Sequence, residues 1–191
     1  MNVYDWDKTI YPKDSTAEFY LYNVKKDLML LRFLPKQLLG FLLWGMKIID
    51  KTEMKKYFYS YLKGVKNVND KLENFWDERI DNINSWYKDL QKTDDVIISA
   101  SPYFMVEPAC KRLNISNLIA SEVDKYTGEV LSKNCSEEEK LKRFIQAGYK
   151  AEEIDNFYSD SSNDVYLARK AKKAYKVKDG KIKDWNFKDK K

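Results

Sequence analysis

The stretch that decides the fold reads Asn2-Val3-Tyr4-Asp5-Trp6-Asp7-Lys8-Thr9. Its first residues predict a short strand, which ends abruptly at a polar tip that carries two carboxylates, Asp5 and Asp7. In open sheets of parallel strands, ligands bind outside the carboxyl ends of the strands. If the sheet is parallel, this tip lies where ligands bind. The rest of the chain must then supply the other strands of the sheet and the other residues of a binding or catalytic site.

Four further apolar runs predict the remaining strands of the core. They are Val96-Ile97-Ile98 ending at Ser99, Leu118-Ile119-Ala120, Asn156-Phe157-Tyr158 ending at Ser159, and Ala174 to Val177. Pro102 is expected in the first turn of a helix, a second helix is expected from about Asn163 to Lys172, and Asp179-Gly180 predicts a hairpin turn. Strands that alternate with helices predict an α/β fold whose parallel sheet is covered on both faces.

Residues 16–90 interrupt this alternation. They are helical in pattern, rich in aromatic residues and lysine, and contain no convincing strand. Breaks between helices are expected at Pro35 and from Asn67 to Asp70. We therefore predict a core domain made of residues 1–15 and 91–191, with residues 16–90 inserted as a helical unit.

Two helix starts carry the pattern of a capping box, in which a serine and a glutamate three residues later satisfy free backbone N–H groups. They are Ser15-Thr16-Ala17-Glu18 and Ser136-Glu137-Glu138-Glu139, and the second helix carries Lys140 in its first turn. Between the core strands, Lys125-Tyr126-Thr127-Gly128-Glu129-Val130 predicts a hairpin.

The chain contains no histidine. This excludes Ser-His-Asp and Cys-His catalysis, histidine-ligated zinc sites and histidine general bases. Acid–base chemistry must therefore come mainly from carboxylates, lysine, tyrosine or cysteine. A P-loop kinase or ATPase is also disfavoured, since no GxxxxGK[ST] loop occurs.

The two cysteines, Cys110 and Cys135, form neither a CxxC pair nor a disulfide framework, which favours reduced, buried thiols in a cytoplasmic protein. The formal net charge of +5 is modest and spread along the chain. It suits an anionic ligand or a weak attraction to acidic lipid, and it argues against a nucleic-acid partner.

Polar residues follow several of the predicted strand ends or open the next helix, and a parallel sheet brings these positions to one edge. They are Asp5, Asp7, Ser99, Lys140, Asp160 and Asp164. Carboxylates crowded together are unfavourable without a cation, and Mg²⁺ accepts one or two carboxylates together with water and substrate phosphate. Ser99 at a helix entrance is placed to hold a phosphate oxygen, and Lys140 is placed to offset the charge of a phosphorylated aspartate. The set predicts phosphoryl transfer.

Four motifs in the expected order resemble those of the haloacid dehalogenase superfamily. Asp5-Trp6-Asp7-Lys8-Thr9 resembles the DxDx[TV] motif, Val96-Ile97-Ile98-Ser99 the second motif, Lys140 the third-motif lysine, and Ser159-Asp160-Ser161-Ser162-Asn163-Asp164 the fourth. The segments Ser99-Ala100-Ser101-Pro102 and Asn134–Lys140 are similar to the phosphoserine phosphatase-like branch. The resemblance implies a Rossmann-like core with a helical cap inserted between the first and second motifs, which makes residues 16–90 the cap.

The resemblance also implies a mechanism, that of a phosphoric monoester hydrolase. Asp5 would attack phosphorus and become an aspartyl phosphate, while Asp7 would act as general acid and then general base, with Ser99 and Lys140 completing the catalytic set. The implied substrate contacts are Thr9, Ser99, Ala100, Lys140 and Asp14. The implied Mg²⁺ site comprises Asp5, Asp7, Asp160 and Asp164, where Asp7 uses its backbone carbonyl and Asp164 more readily supports the metal than binds it.

Two residues depart from the family pattern, and three assignments stay open. Lys8 stands where glycine is commoner, and Ser159 replaces the glycine before Asp160; neither change removes a reacting group. Ser99 is preferred to Ser101 for the phosphate, because Ser101 suits a helix cap. Lys140 is preferred to Lys142, and Asp14 either reads the substrate or caps the next helix.

Leu28–Ile49 is the most hydrophobic segment, but Arg32 and Lys36 interrupt it, and its longest later run without charge is about half of the ~20 residues that a spanning helix needs. We interpret it as a buried or interfacial helix that does not span, which leaves peripheral membrane contact open. The substrate is then a small phosphorylated metabolite or a lipid phosphate, and the oligomeric state is undetermined. The alternative function is a catalytically weak binding or regulatory protein at a membrane surface. The lysine-rich C-terminus is interpreted as a solvated tail.

Overall fold

A six-stranded sheet forms the centre of the molecule in the computed structural model, which describes residues 1–186. The strands are β1 (Asn2–Tyr4), β2 (Val96–Pro102), β3 (Asn117–Ser121), β4 (Asn156–Ser159), β5 (Lys173–Lys178) and β6 (Lys181–Asp184). They lie in the order β3-β2-β1-β4-β5-β6; the first five are parallel, and β6 pairs antiparallel with β5. The predicted α/β fold is confirmed, and β1, which carries Asp5 at its end, lies inside the sheet.

Eight α-helices occur in the described part of the chain. They are α1 (Ser15–Lys26), α2 (Leu34–Gly45), α3 (Lys51–Tyr59), α4 (Val68–Asp77), α5 (Ser85–Leu90), α6 (Tyr103–Arg112), α7 (Glu138–Gln146) and α8 (Val165–Ala168). Short 3₁₀ helices connect them at Leu28–Phe33, Ser60–Gly64, Ile80–Asn82, Ala151–Glu153 and Ser162–Asp164. Helices α1 to α5 all lie between β1 and β2, with no strand among them. The predicted division into residues 1–15 with 91–191 and residues 16–90 stays a prediction.

The alternation of side chains along each strand separates two hydrophobic cores, one on each face of the sheet. Val3, Val96, Ile98 and Phe157 pack on one face with α7 and α8. Tyr4, Ile97 and Tyr158 pack on the other face, together with the buried aromatic residues of the helical insert. Rings are stacked across neighbouring strands on this second face, since the centroids of Tyr4 and Tyr158 lie 4.7 Å apart and those of Tyr158 and Tyr175 lie 4.8 Å apart.

Both predicted capping boxes are wrong. Helix α1 is capped one residue earlier, by Asp14, whose carboxylate accepts a hydrogen bond from the backbone N–H of Ala17. Ser15 is instead the first residue of α1, and its hydroxyl donates to Asp7. Helix α7 begins after Glu137 without a side-chain cap, and the hydroxyl of Ser136 accepts from Asn134 instead.

Two other helix boundaries differ from prediction. Pro102 ends β2 and precedes α6, because an irregularity between Ser99 and Pro102 lets the strand pair further, with Ser121. The helix expected to reach Lys172 ends at Ala168, since the chain must turn into β5 at Lys173. The turn at Asp179 and Gly180 joins β5 to β6 as expected, with positive φ at both residues.

Several contacts tie the helical insert to the core. The indole of Trp76 donates to the backbone carbonyl of Met105 at 2.7 Å. Gly128 closes the turn between β3 and α7 with φ +71°, and a Cβ at this position would lie 2.0 Å from the carbonyl oxygen of Tyr59. This approach requires glycine, because any side chain would meet backbone that cannot move away cheaply.

Helix α2 and the 3₁₀ helix before it are mostly exposed to solvent. Leu28–Gly45 is the one described segment long and apolar enough to cross a membrane, judged by length and composition alone. The alternative that this segment is buried is therefore wrong.

Both cysteines are reduced and buried. Burial raises the pKa of Cys110 to about 12 and that of Cys135 to about 11. The end of the basic tail, residues 187–191, lies outside the described residues.

Candidate active site

A cavity of about 350 Å³ lies where the carboxyl ends of β1, β2 and β4 meet the first turn of α7. Core residues on its wall include Asp5, Asp7, Ala100, Ser101, Lys140, Asp160 and Asp164. The insert covers the cavity with residues of α1, α2 and α3, among them Ala17, Phe41, Lys51, Met54, Lys55 and Phe58, and Asp14, which precedes α1, also lines it. The parallel topology therefore brings most of the predicted site residues together.

A buried ion triad lies at the floor of the cavity. The ammonium of Lys140 contacts Oδ1 of Asp5 at 2.6 Å and Oδ2 of Asp164 at 2.8 Å. Burial by itself would lower the pKa of Lys140, but Asp164 and Asp5 raise it well above its ordinary value. Burial raises the pKa of Asp5, and Lys140 opposes that rise. Lys140 therefore stays charged and stabilises negative charge on Asp5.

Asp7 is held by a different set of partners, all of them neutral. Its Oδ1 accepts from the backbone N–H of Ser15 at 2.7 Å and from the Ser15 hydroxyl at 2.6 Å, and its Oδ2 accepts from the hydroxyl of Ser101. Burial raises the pKa of Asp7 to about 6 and the charge of Asp14 adds to the rise, while the hydrogen bonds from Ser101 and Ser15 oppose it. A carboxyl group with a pKa near neutrality can both give and take a proton.

Of the two serines considered for phosphate binding, Ser101 is the one on the cavity wall. Ser99 is fully buried, and its hydroxyl accepts from the backbone N–H of Ser101 at 3.0 Å. Ser101 reaches the cavity, where it bonds Asp7 and lies 2.9 Å from the hydroxyl of Thr16. The role of Ser99 in phosphate binding stays a prediction.

Thr9 lies behind the cavity wall instead of on it. Its side chain is fully buried, donates to Oδ2 of Asp5 at 3.3 Å and accepts from the backbone N–H of Asp160 at 3.0 Å. Thr9 therefore joins the end of β1 to the loop after β4. These bonds indicate a positioning role for Asp5 and Asp160, and the contact of Thr9 with substrate stays a prediction.

The geometry also bears on the choice of Lys140 over Lys142 and on the role of Asp14. Lys142 lies on the exposed side of α7, where it pairs with Glu138 at 3.0 Å, so Lys140 is the lysine of this helix that lies in the cavity. Asp14 caps α1 and also lines the cavity, so its capping role is confirmed and its reading of substrate stays a prediction.

Both departures from the family pattern are accommodated locally. Lys8 adopts φ +57°, a conformation that glycine adopts freely, so the turn keeps its backbone path at a cost of about 1–2 kcal/mol. Ser159 donates from its hydroxyl to Asp164 at 2.7 Å and accepts from the N–H of Ser161 at 3.0 Å. A glycine in this place could not make either bond, so the serine helps to orient Asp164.

Residues 1–186 contain no group of three or more His, Cys, Asp or Glu residues close enough together to hold a metal ion. The donor set nevertheless suits Mg²⁺, which is often bound by only one or two protein carboxylates. Burial raises the pKa of Asp160, as it does that of Asp5, and the charge of Asp160 adds to the rise in the pKa of Asp5. Asp164 is engaged by Lys140 and Ser159, which fits support of the site better than direct ligation.

Lys55 is a cavity residue that the sequence reasoning missed. Its ammonium is largely buried and donates to the carbonyl of Ala100 and to Oδ1 of Asn134, both at 2.6 Å, which joins α3 to the core. Burial lowers the pKa of Lys55 to about 8, and the charge of Lys51 adds to the fall. No signal in the sequence distinguishes Lys55 from the other lysines of the insert, because its burial depends on how α3 packs over β2. Lys51, Ser136 and Asn163 on the same cavity were missed for similar reasons.

Comparison with known proteins places this geometry in context. The family model described as haloacid dehalogenase-like hydrolase matches residues 3–169. A protein with unknown function from Bordetella pertussis Tohama I is 18% identical, with a TM-score of 0.67, over 91% of this chain and 87% of that chain. A phosphoserine phosphohydrolase-like protein from Francisella tularensis subsp. tularensis SCHU S4 is 18% identical, with a TM-score of 0.55, over 91% and 86% of the two chains.

A substrate-bound phosphoserine phosphatase is 17% identical, with a TM-score of 0.55, over 90% of this chain and 82% of that chain. At these identities the likeness to solved structures shows the fold alone. No curated protein matches the sequence.

Proposed function

Because the chain belongs to the haloacid dehalogenase-like hydrolase family, we propose that it is a magnesium-dependent phosphatase that cleaves a phosphate monoester through an aspartyl phosphate on Asp5. The family resemblance carried by the four motifs is thereby confirmed. The observation that carries the proposal is the pair of carboxylates in one cavity with different partners. Asp5 lies against the ammonium of Lys140, whereas Asp7 lies among hydroxyl and N–H donors. Two carboxyl groups in different environments can take different roles in one reaction.

In the first half of the reaction, a carboxylate oxygen of Asp5 attacks phosphorus and the bond from phosphorus to the ester oxygen breaks. The protonated carboxyl of Asp7 gives its proton to the leaving oxygen, so an alcohol departs. Lys140 offsets the negative charge at Asp5 throughout. In the second half, Asp7 accepts a proton from water as the water oxygen attacks phosphorus, which releases phosphate and restores Asp5.

The carboxylates of Asp5 and Asp160 and the backbone carbonyl of Asp7 would hold Mg²⁺. When bound, the ion supplies positive charge that stabilises the transferring phosphoryl group. Asp164 positions Lys140, because it accepts from the Lys140 ammonium, and Thr9 positions Asp5 and Asp160, because it bonds both of them. The alcohol part of the ester is not specified by these residues, and both small metabolites and lipid phosphates fit the proposal.

The test is hydrolysis of p-nitrophenyl phosphate and a panel of phosphate esters by wild type, Asp5→Asn and Asp7→Asn, with Mg²⁺ and with EDTA. Asp155→Asn is the matched control, because Asp155 pairs with the N-terminus at the opposite end of β4. We expect Asp5→Asn and EDTA to abolish turnover and Asp155→Asn to leave it unchanged. Asp7→Asn should lower turnover of alkyl esters by about 10²–10⁴-fold.

The nitrophenolate group leaves without help from an acid, so p-nitrophenyl phosphate should still phosphorylate Asp5 in the Asp7→Asn variant. The aspartyl phosphate should then be hydrolysed slowly, because Asp7 is no longer there to accept a proton from water. Reduction of the quenched protein with borohydride converts an aspartyl phosphate to homoserine, which mass spectrometry would locate at position 5. Unchanged turnover in Asp5→Asn would refute the mechanism. No turnover of any ester by wild type would favour the alternative of a binding or regulatory protein.

A further inference from the structure

Most of the exposed large apolar side chains of residues 1–186 belong to one short segment. Of eighteen such side chains, eleven lie between residues 28 and 48. We name these eleven the apolar surface: Leu28, Met29, Leu31, Leu34, Leu38, Leu39, Phe41, Leu42, Trp44, Met46 and Ile48. Large exposed apolar regions on folded proteins mark sites of interaction with a protein or a membrane.

The outward orientation of α2 is fixed by its packing. The side that faces the protein carries Gln37, which is 2% exposed, accepts from the hydroxyl of Tyr20 at 2.9 Å and donates to the carbonyl of Phe58 at 2.9 Å. One turn further, Gly40 lies against Tyr57 so closely that a Cβ would be 2.3 Å from the Tyr57 side chain. The helix therefore buries its polar residue and presents leucines to solvent, the reverse of the usual pattern for a surface helix.

The segment around the apolar surface is strongly basic. Residues 25–51 contain six basic and two acidic residues, a net charge of +4. Both acidic side chains are engaged as helix caps, since Asp27 accepts from the N–H of Met29 and Asp50 accepts from the N–H of Glu53. Apolar side chains beside an excess of positive charge complement a surface that is negative outside and apolar beneath, which is the boundary of an anionic bilayer.

The apolar surface is also continuous with the cavity. Phe41 belongs to α2, is exposed, and lines the same cavity as Asp5 and Lys140. Phe58, which contacts Phe41 with ring centroids 6.0 Å apart, lines the cavity next to it. A molecule that lies against the apolar surface is therefore next to the cavity opening.

We propose that the apolar surface docks the protein onto an anionic lipid bilayer, with α2 lying in the boundary between head groups and acyl chains. Docking would bring phosphate esters embedded in that bilayer to the site as its substrates, and this assignment of substrates rests on the proposed function. A spanning helix would have to break the contacts of Gln37 and Gly40 and bury Arg32 and Lys36. A second copy of the chain is disfavoured as the occupant, because a two-fold contact would set one +4 segment against another.

The test is sedimentation of the full chain with vesicles of phosphatidylglycerol and phosphatidylcholine, compared with vesicles of phosphatidylcholine alone. The double variant Leu38→Asp/Leu42→Asp replaces side chains that are 58% and 59% exposed and do not line the cavity. The control variant Leu131→Asp/Ile145→Asp replaces side chains that are 60% and 54% exposed and lie in the core domain. Hydrolysis of soluble p-nitrophenyl phosphate is measured for all three proteins, and size-exclusion chromatography reports their oligomeric state.

We expect wild type and the control variant to bind anionic vesicles roughly tenfold or more tightly than neutral ones, and added salt to weaken this binding. The Leu38→Asp/Leu42→Asp variant should lose this binding and keep its turnover of the soluble ester. Equal binding by this variant, or no binding by wild type while the soluble ester is hydrolysed, would overturn the docking.

A wild-type dimer that this variant converts to monomer would assign the surface to a second copy, and resistance to alkaline carbonate extraction would show spanning; both contradict the proposal. Vesicle binding without turnover of any ester would uphold the docking while refuting the proposed function.

Discussion

Replacing Lys140 by methionine should destabilise the protein more than any single change at its surface. The variant keeps a side chain of similar length but leaves Asp5 and Asp164 buried, 2.6 and 2.8 Å from where the ammonium had been. The Lys140 side chain is 2% exposed, so water cannot take its place without local opening. Removing one partner of a buried ion pair costs about 3–5 kcal/mol in the free energy of unfolding. At roughly 2–4 °C per kcal/mol for a chain of this size, Tm should fall by about 10 °C.

The measurement is urea unfolding followed by circular dichroism, in buffer with EDTA so that no cation substitutes for the ammonium. Lys142→Met is the matched control, because Lys142 lies on the same helix in an exposed pair with Glu138. This control should change the free energy of unfolding by less than about 0.5 kcal/mol.

A second variant tests the electrostatic reason for the loss. Lys140→Met combined with Asp164→Asn leaves one buried carboxylate instead of two, so it should be more stable than Lys140→Met alone. If Lys140→Met unfolds like the control, or if the added Asp164→Asn lowers stability further, the reasoning that the ammonium compensates two carboxylates is refuted.

Three further outcomes follow from other parts of the structure. Lys55→Met should raise KM for anionic esters and destabilise the protein by about 1–3 kcal/mol through the loss of its charge-assisted hydrogen bonds to Ala100 and Asn134. Lys56→Met on the exposed side of α3 should do neither, and equal kinetics of the two variants would refute a cavity role for Lys55. Gly128→Ala should lower the free energy of unfolding by about 2–4 kcal/mol, because φ is positive and the new Cβ would contact backbone. Gly148→Ala is the control, with positive φ but open space, and should lower it by about half as much in the same urea titration. The thiols of Cys110 and Cys135 should react with a thiol reagent at pH 8 only in denaturant, because burial raises the pKa of Cys110 to about 12 and that of Cys135 to about 11. Fast reaction in the native protein would contradict this.

The five parallel strands could be predicted because each contains an apolar run that ends at a polar residue, whereas their order in the sheet and the strand β6 were not predicted. That pattern depends on burial alone, and parallel topology then brings Asp5, Asp160 and Lys140 to one edge of the sheet. The helix caps could not be predicted in the same way. Asp14 and Ser15 are adjacent and both suit an N-cap, and the choice depends on Asp7, which recruits the Ser15 hydroxyl from another part of the chain.

The details of the cavity depend on tertiary packing that the sequence does not display. Ser99 and Ser101 have the same side chain, and the irregularity of β2 between Ser99 and Pro102 decides which of them reaches the cavity. Lys55 becomes a cavity residue only because α3 lies over the end of β2. The cytoplasmic location, the exclusion of nucleic acid and the domain boundaries stay predictions.

The apolar surface gives the protein an intrinsic optical probe. Trp44 is 43% exposed, whereas Trp6 and Trp76 are fully buried and the remaining two tryptophans are partly buried. Indole rings prefer the depth of the lipid head groups, and their emission moves to shorter wavelength when they leave water. A change in tryptophan fluorescence on contact with lipid would therefore come mainly from Trp44. Its depth in the membrane could be measured by quenching, without any label, while the other four tryptophans report that the fold is intact.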